Sequence, residues 1–281
     1  MRLILWLPFL LLPIGAFADN DSEGQAGKAK LEAGDEKPPT TLRLMTYNIH
    51  HGEGTDGKFD LERLAKIISG KRVDLVAVQE VDVKTKRSSG VDQAAELARL
   101  TGMHYAFGKF MDYQGGEYGQ MVLSKFPIIK ARNLALPPGP EPRTALAINV
   151  EVPGPDGATE IVFVGNHFYA SERERSAQAE RLTELLDDEL KAKVPIILAG
   201  DFNSTPKTKP MKILSRYWID PTERVNDRTW PSKIPRVEID YILYFPADRF
   251  LARKSKVLVE TKASDHRPVF TILELKPPPA E

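Results

Sequence analysis

The sequence predicts an α/β domain whose sheets are covered on their outer faces by helices. Two observations carry this expectation: short runs rich in Val and Ile recur along the chain, and helix-like stretches with apolar residues at three- and four-residue spacing alternate with them. In chain order, Leu42 to Tyr47, Asp74 to Gln79, Gln120 to Ser124, Ala145 to Val152, Ile161 to Asn166, Pro195 to Ala199, Tyr241 to Phe245 and Val269 to Leu275 read as strands. That is too many for one small sheet. Leu61 to Ser69, Asp92 to Leu100 and Glu172 to Leu190 each carry an apolar stripe with polar residues between, as outer helices do. No internal repeat with a period of roughly 20 to 50 residues is evident, which disfavours a solenoid or propeller.

The ends of the chain read differently. Met1-Arg2, the apolar run Leu3 to Phe17 and the small-residue site Ala16-Phe17-Ala18 form a signal-peptide pattern over residues 1–18, with Asp19 as the expected mature start. The run is shorter than the roughly 20 residues that span a bilayer, and Pro8 and Pro13 interrupt it. An uncleaved anchor is the alternative. Residues 19–41 lack large apolar side chains and read as a flexible linker; residues 42–275 form the folded body, and the Pro-rich tail 276–281 ends the last strand. The expected location is therefore exported, periplasmic or extracellular. The 281-residue chain contains no cysteine, so there is neither a disulfide framework nor a thiolate metal site. Lys plus Arg and Asp plus Glu both number 39, so no global positive field draws the chain onto nucleic acid and any polyanion binding must be local.

Chemistry is suggested by where the polar residues fall. Nearly every apolar run ends in an acid, amide or histidine: Asn48, Glu80, His167, Asp201 with Asn203, Asp240, and Asp265 with His266. One such residue is most simply a turn former. At six places they converge at one sheet edge, and their mutual repulsion calls for a divalent cation. Hard oxygen donors select Mg²⁺ or Mn²⁺, with Ca²⁺ or zinc as alternatives, and no His-Glu-x-x-His arrangement marks a zinc protease. Histidines beside oxygen ligands suit phosphate: the metal polarises one oxygen while imidazolium and amide donors hold charge on the others.

Six segments occur in an order that resembles the endonuclease/exonuclease/phosphatase superfamily, which includes DNase I-like enzymes: Thr46-Tyr47-Asn48-Ile49, Gln79-Glu80-Val81-Asp82, Asn166-His167-Phe168, Ala199-Gly200-Asp201-Phe202-Asn203, Ile239-Asp240-Tyr241-Ile242 and Ser264-Asp265-His266-Arg267-Pro268. More locally, Asn48-Ile49-His50-His51-Gly52, Arg87-Ser88 and Tyr113 to Gly119 are similar to the hydrolase domain of proteins that remodel glycosylphosphatidylinositol anchors. The resemblance implies a four-layer α/β/β/α sandwich of two mixed sheets with its site at one edge. It also implies a hydrolase for phosphoester bonds, acting by in-line attack of water. By the same resemblance Glu80 is the principal metal ligand, with Asn48 and Asp265 close to the metal. Asp201 and Asn203 position and activate water, His167 and His266 bind phosphate, and Asp240 orients His266. Tyr118 and Arg143 match positions that contact phosphate or leaving group. Many nucleases of this superfamily have an acid where this chain has His50, so His50 and His51 read either as substrate contacts or as a satisfied pair in a turn.

Several features keep two readings. Lys84-Thr85-Lys86-Arg87 is a phosphate-steering patch or a solvated loop, and Arg173, Arg175 and Arg181 among Glu172, Glu174 and Glu180 read as helix-surface ion pairs rather than a nucleic-acid footprint. Leu134 to Pro142, with four prolines, is the nearest approach to a membrane-facing hairpin and equally suits an inert loop. The expected partner is a phosphate-ester substrate: a lipid or glycolipid head group, nucleic acid or a small molecule. No stable protein partner is indicated, and the alternative to an enzyme is a binding module that keeps the sandwich without its chemistry.

Overall fold

Alternation along the first strand sets the layering. In β1 (Thr40–Asn48), Leu42 and Leu44 point into one apolar cluster while Met45 and Tyr47 point into another, as a strand buried on both faces requires. The computed structural model describes residues 40–155, 157–221 and 227–278. The expected leader, most of the expected linker and residues 279–281 of the tail lie outside them. β1 begins at Thr40, two residues before the expected body, because Thr40 and Thr41 pair with Leu275 and Glu274.

The remaining strands are β2 (Leu75–Val83), β3 (His104–Tyr113), β4 (Gly116–Ser124), β5 (Ile128–Ala135), β6 (Thr144–Gly154), β7 (Gly157–His167), β8 (Ile196–Asp201), β9 (Asp240–Phe245), β10 (Phe250–Val257) and β11 (Val269–Leu275). They form a six-stranded sheet, order β10-β11-β1-β2-β4-β3, and a five-stranded sheet, order β5-β6-β7-β8-β9. Both are mixed: β1 runs parallel to β2 and β7 parallel to β8, whereas their other neighbours are antiparallel.

Three apolar clusters hold the layers together. Leu44, Ala77 and Val122 of the larger sheet meet Leu146, Phe163 and Ile197 of the smaller one in the central cluster. Outside the larger sheet, α1 (Leu61–Ser69) and α2 (Gln93–Thr101) cover Val76, Val78 and Met121. Outside the smaller sheet, α3 (Glu172–Leu185) and α5 (Lys209–Leu214) cover Val162, Leu198 and Tyr241, with the short α4 (Asp187–Lys191) between them in the chain. This is the expected α/β/β/α sandwich. Helix starts are fixed locally: Asp60 and Asp92 cap α1 and α2, and Ser171 with Glu174 forms a capping box on α3.

Two expectations change. The stretch expected as one helix from Glu172 to Leu190 breaks at Leu186, whose φ of −110° is not helical. Leu134 to Pro142 is not a projecting hairpin: Leu136 is buried in the outer cluster, its N–H donates to the Arg143 carbonyl, and the Pro137 carbonyl accepts from Gln178.

Candidate active site

Register alone assembles half of the site. Strands β7, β8 and β9 place His167 beside Asp201 and Asp201 opposite Asp240, three polar residues in one row across the smaller sheet. Gly200 lets the row close up, since a Cβ there would stand 2.0 Å from the Asn166 carbonyl oxygen. The larger sheet contributes Asn48 at the end of β1 and Glu80 in β2. Glu80 has φ +58° at a register shift between Gln79 and Val81, a bulge that turns its side chain out of the ladder.

Hydrogen bonds then join the two sheets through Asp201. Asn48 Nδ2 donates to Glu80 Oε1 at 3.0 Å and to Asp201 Oδ2 at 3.1 Å. The Asn203 N–H donates to Asp201 Oδ1 at 2.8 Å, while the Asn203 amide donates to the Phe168 carbonyl at 2.9 Å and lies 3.2 Å from His167 Nε2. His167 Nε2 and His266 Nε2 lie 3.6 and 3.7 Å from Asp201 Oδ2. On its far side the His266 ring is held by Asp240 Oδ2, 3.0 Å from Nδ1. The Ser264 hydroxyl donates to the Asn48 carbonyl at 2.7 Å, so the Ser264-Asp265-His266 segment is pinned to the end of β1.

Burial gives these groups distinct protonation states. Asp201 is pushed up to about 7 by burial and by the opposed Asp240 carboxylate. Burial works against charge on His266, but Asp240 and Asp201 outweigh it and raise the imidazole to about 10. His266 is therefore a cation. His167 is held well below the usual histidine range by burial, by Arg143 and by His266, so it is neutral. The sequence treated the two histidines alike, whereas only His266 can present an imidazolium.

The donor set fits a hard divalent ion. Asp201, Asp240 and His266 bring one ligand atom each within 4.8 Å of one another, a buried acidic group able to hold a cation. Asp240 and His266 are already bonded to each other, however. Glu80 and Asp265 are only half-buried, and Glu80 Oε2 takes no hydrogen bond from a described residue, so a carboxylate oxygen is available. Asn48 points its NH₂ at both carboxylates and its Oδ1 accepts from the His50 N–H at 3.0 Å, so in this arrangement it acts as a hydrogen-bonding bridge.

The flanking residues are less uniform. His50 and His51 both adopt left-handed backbone, φ +47° and +43°, with their rings 4.5 Å apart. His50 Nδ1 lies 3.1 Å from the Glu53 carbonyl, and the His51 carbonyl accepts from Gln93 at 2.6 Å, so the turn is bonded to itself and to the start of α2. Arg143 is buried, its guanidinium 4.9, 5.7 and 4.5 Å over Phe110, Tyr118 and Tyr169. Its terminal nitrogens are taken by the Pro142 carbonyl and Glu141, and it acts on His167 through its charge. Tyr118 is held protonated by burial and by Glu80. Arg87 is no solvated loop residue: it makes a two-pronged pair with fully buried Asp82, at 2.7 and 2.8 Å, and lies over Tyr113 and Tyr118. On α3, Arg181 pairs with Glu184 as a surface pair, but Arg175 reaches Ser204 beyond the Asp201 loop.

One participant was missed in the sequence. The Trp230 indole donates to Asp265 Oδ2 at 3.0 Å, from a loop with no helix or strand pattern. Its only visible signal was a tryptophan isolated among prolines and bases.

The model of the endonuclease/exonuclease/phosphatase family matches residues 45–266. The chain belongs to that family. Family members are hydrolases of phosphoester bonds and generally use divalent metals. The chain is 26% identical over 255 residues to the uncharacterized protein YbhP of Escherichia coli K12, covering 86% of this chain and 99% of that protein. A solved endonuclease/exonuclease/phosphatase from Beutenbergia cavernae is 26% identical with a TM-score of 0.71, over 86% of this chain and 73% of that one. The Bacteroides thetaiotaomicron mannosyl-6-phosphatase Bt3783 shares the fold at 19% identity and a TM-score of 0.67, over 84% and 99%. The narrower likeness to anchor-remodelling proteins rests on the local motifs alone.

Proposed function

We propose that this chain is an exported, Mg²⁺- or Mn²⁺-dependent phosphoesterase that hydrolyses a P–O bond by direct attack of water. The observation that carries the reading is the meeting of Asn48, His167, His266 and Asn203 on one buried carboxylate, Asp201. A carboxylate raised to about 7 can take a proton from water near neutral pH, which an ordinary aspartate does poorly. In this mechanism the water oxygen bonds to phosphorus, its proton passes to Asp201 Oδ2, and the P–O bond on the opposite side breaks, the leaving oxygen keeping the electron pair and taking a proton from solvent. Asn203 fixes the Asp201 carboxylate. His266, 3.7 Å from Asp201, lies on the attack side, so its imidazolium holds a non-bridging phosphate oxygen. Neutral His167 completes that cradle. Glu80, with Asp265 and Asn48 nearby, would hold the cation, which polarises the phosphate when bound. Tyr118 supplies a protonated hydroxyl, and Arg143 adds positive potential. His50, half-buried and bonded through its N–H to Asn48, would contact substrate.

The mature chain starting at Asp19 would act in the periplasm or outside the cell; mass analysis of protein recovered from the envelope checks this. Purified protein should hydrolyse at least one of DNA, RNA, phospholipids, sugar phosphates and simple phosphate esters with Mg²⁺ or Mn²⁺. Asp201→Asn should abolish that activity. Inertness toward every class while the protein melts cooperatively would favour a binding module instead.

A further inference from the structure

The loop that bonds Asp265 also carries two exposed apolar side chains. Trp230 is 39% exposed and Ile234 71%. The loop is closed on itself by hydrogen bonds between Trp230 and Val237 in both directions, at 3.1 and 3.0 Å. Besides the Trp230 indole bond, the Ser232 N–H donates to the Asp265 carbonyl at 2.6 Å and Arg267 Nε to the Ser232 carbonyl at 2.7 Å. A rigid loop therefore presents two apolar side chains at the rim of the site. The tip does not fold back to bury them.

Within residues 228–237 the charged side chains are Arg228, Lys233 and Arg236, with the half-buried acids Asp227 and Glu238 flanking the stretch, in a chain whose formal charge is zero. All three are exposed, and none makes an ion pair with a described residue; Lys233 Nζ donates to the Thr55 carbonyl at 3.2 Å. Exposed Trp and aliphatic side chains flanked by bases suit the interface of an anionic bilayer, where the ring sits at headgroup depth and the bases meet lipid phosphates. Nucleic acid would also meet Trp230 and the bases, but it offers nothing to Ile234, the more exposed of the two apolar residues.

We infer that residues 228–237 dock the mouth of the site onto an anionic lipid surface, Trp230 and Ile234 entering the headgroup layer. Given the phosphoesterase reading on which this rests, the substrate class is a lipid-borne phosphoester. Vesicle sedimentation tests it, with phosphatidylcholine alone and with phosphatidylcholine plus phosphatidylglycerol. Wild type should bind the anionic vesicles, less so as salt rises, and Ile234→Glu should bind them weakly. A base near an anionic surface contributes roughly fivefold to binding, so Lys233→Gln with Arg236→Gln should weaken it by roughly 25-fold. Melting temperature and hydrolysis of a soluble phosphate ester should be unchanged in these variants. Wild type that ignores the vesicles, or Ile234→Glu that binds equally well, overturns the docking assignment, as does loss of single-stranded DNA binding in place of vesicle binding. Vesicle binding without hydrolysis of any ester would instead leave docking standing and remove the phosphoesterase reading.

Discussion

Asp201 and Asp240 face each other across adjacent strands, each only 1% exposed, and His266 stands within reach of both. The imidazolium makes two buried carboxylates tolerable, so His266 and Asp240 should act as one unit. His266→Ala should lower kcat by about 10²- to 10⁴-fold, Asp240→Asn should also be harmful, and the double variant should be little worse than His266→Ala. Steady-state rates on a verified substrate check this; losses that multiply would assign Asp240 another role. The same electrostatics set a pH dependence. Asp201 titrates near 3.8 when unfolded and about 7 when folded, so the folded state binds the extra proton and Asp201 costs stability progressively as pH rises through that interval. In chelator, melting temperatures from pH 4 to 6.5 should show Asp201→Asn gaining on wild type as pH rises; a constant difference would contradict the shift. At this scale Asp201, His167, Asp240 and His266 were legible as polar ends of apolar runs. The neutral state of His167 and the Trp230 contact were not, because both depend on what packs around them.

Elements deliver these residues through two local devices, the Glu80 bulge and the close pairing of β7 with β8. Gly200→Ala forces a Cβ onto the Asn166 carbonyl, so the strands must separate and Asp201 must leave its row. The variant should melt lower by an amount corresponding to about 1–3 kcal/mol and lose most activity; a variant indistinguishable from wild type by calorimetry and kinetics would contradict the packing. Arg87→Ala leaves Asp82 buried with only the Thr85 hydroxyl and should cost about 3 kcal/mol, measured by urea unfolding. The strands that the sequence did not reveal share one property. β3, β5 and β10 are edge strands, and His104, Lys130, Arg132, Lys254 and Lys256 interrupt their apolar pattern, while Tyr105 and Ile129 are exposed. Central strands, buried on both faces, were read correctly because burial leaves an unbroken Val and Ile signature.

At the scale of the molecule, two mixed sheets stacked face to face bring their strand ends to a common edge, where Asn48 from one sheet bonds Asp201 from the other. Neither sheet alone supplies a complete site. The layering was legible from alternation and from six ordered motifs, and the convergence of their polar ends followed from it. Which substrate reaches that edge was not, since the rim loops have no periodic pattern to read. The central claim is that the convergence serves a divalent cation and an activated water. Hydrolysis of a verified phosphate ester by metal-stripped protein, before and after adding Mg²⁺ or Mn²⁺, tests it most directly, with Glu80→Gln measured alongside. Activity should vanish on stripping, return with metal, and stay low in Glu80→Gln; full activity in excess chelator would contradict the account.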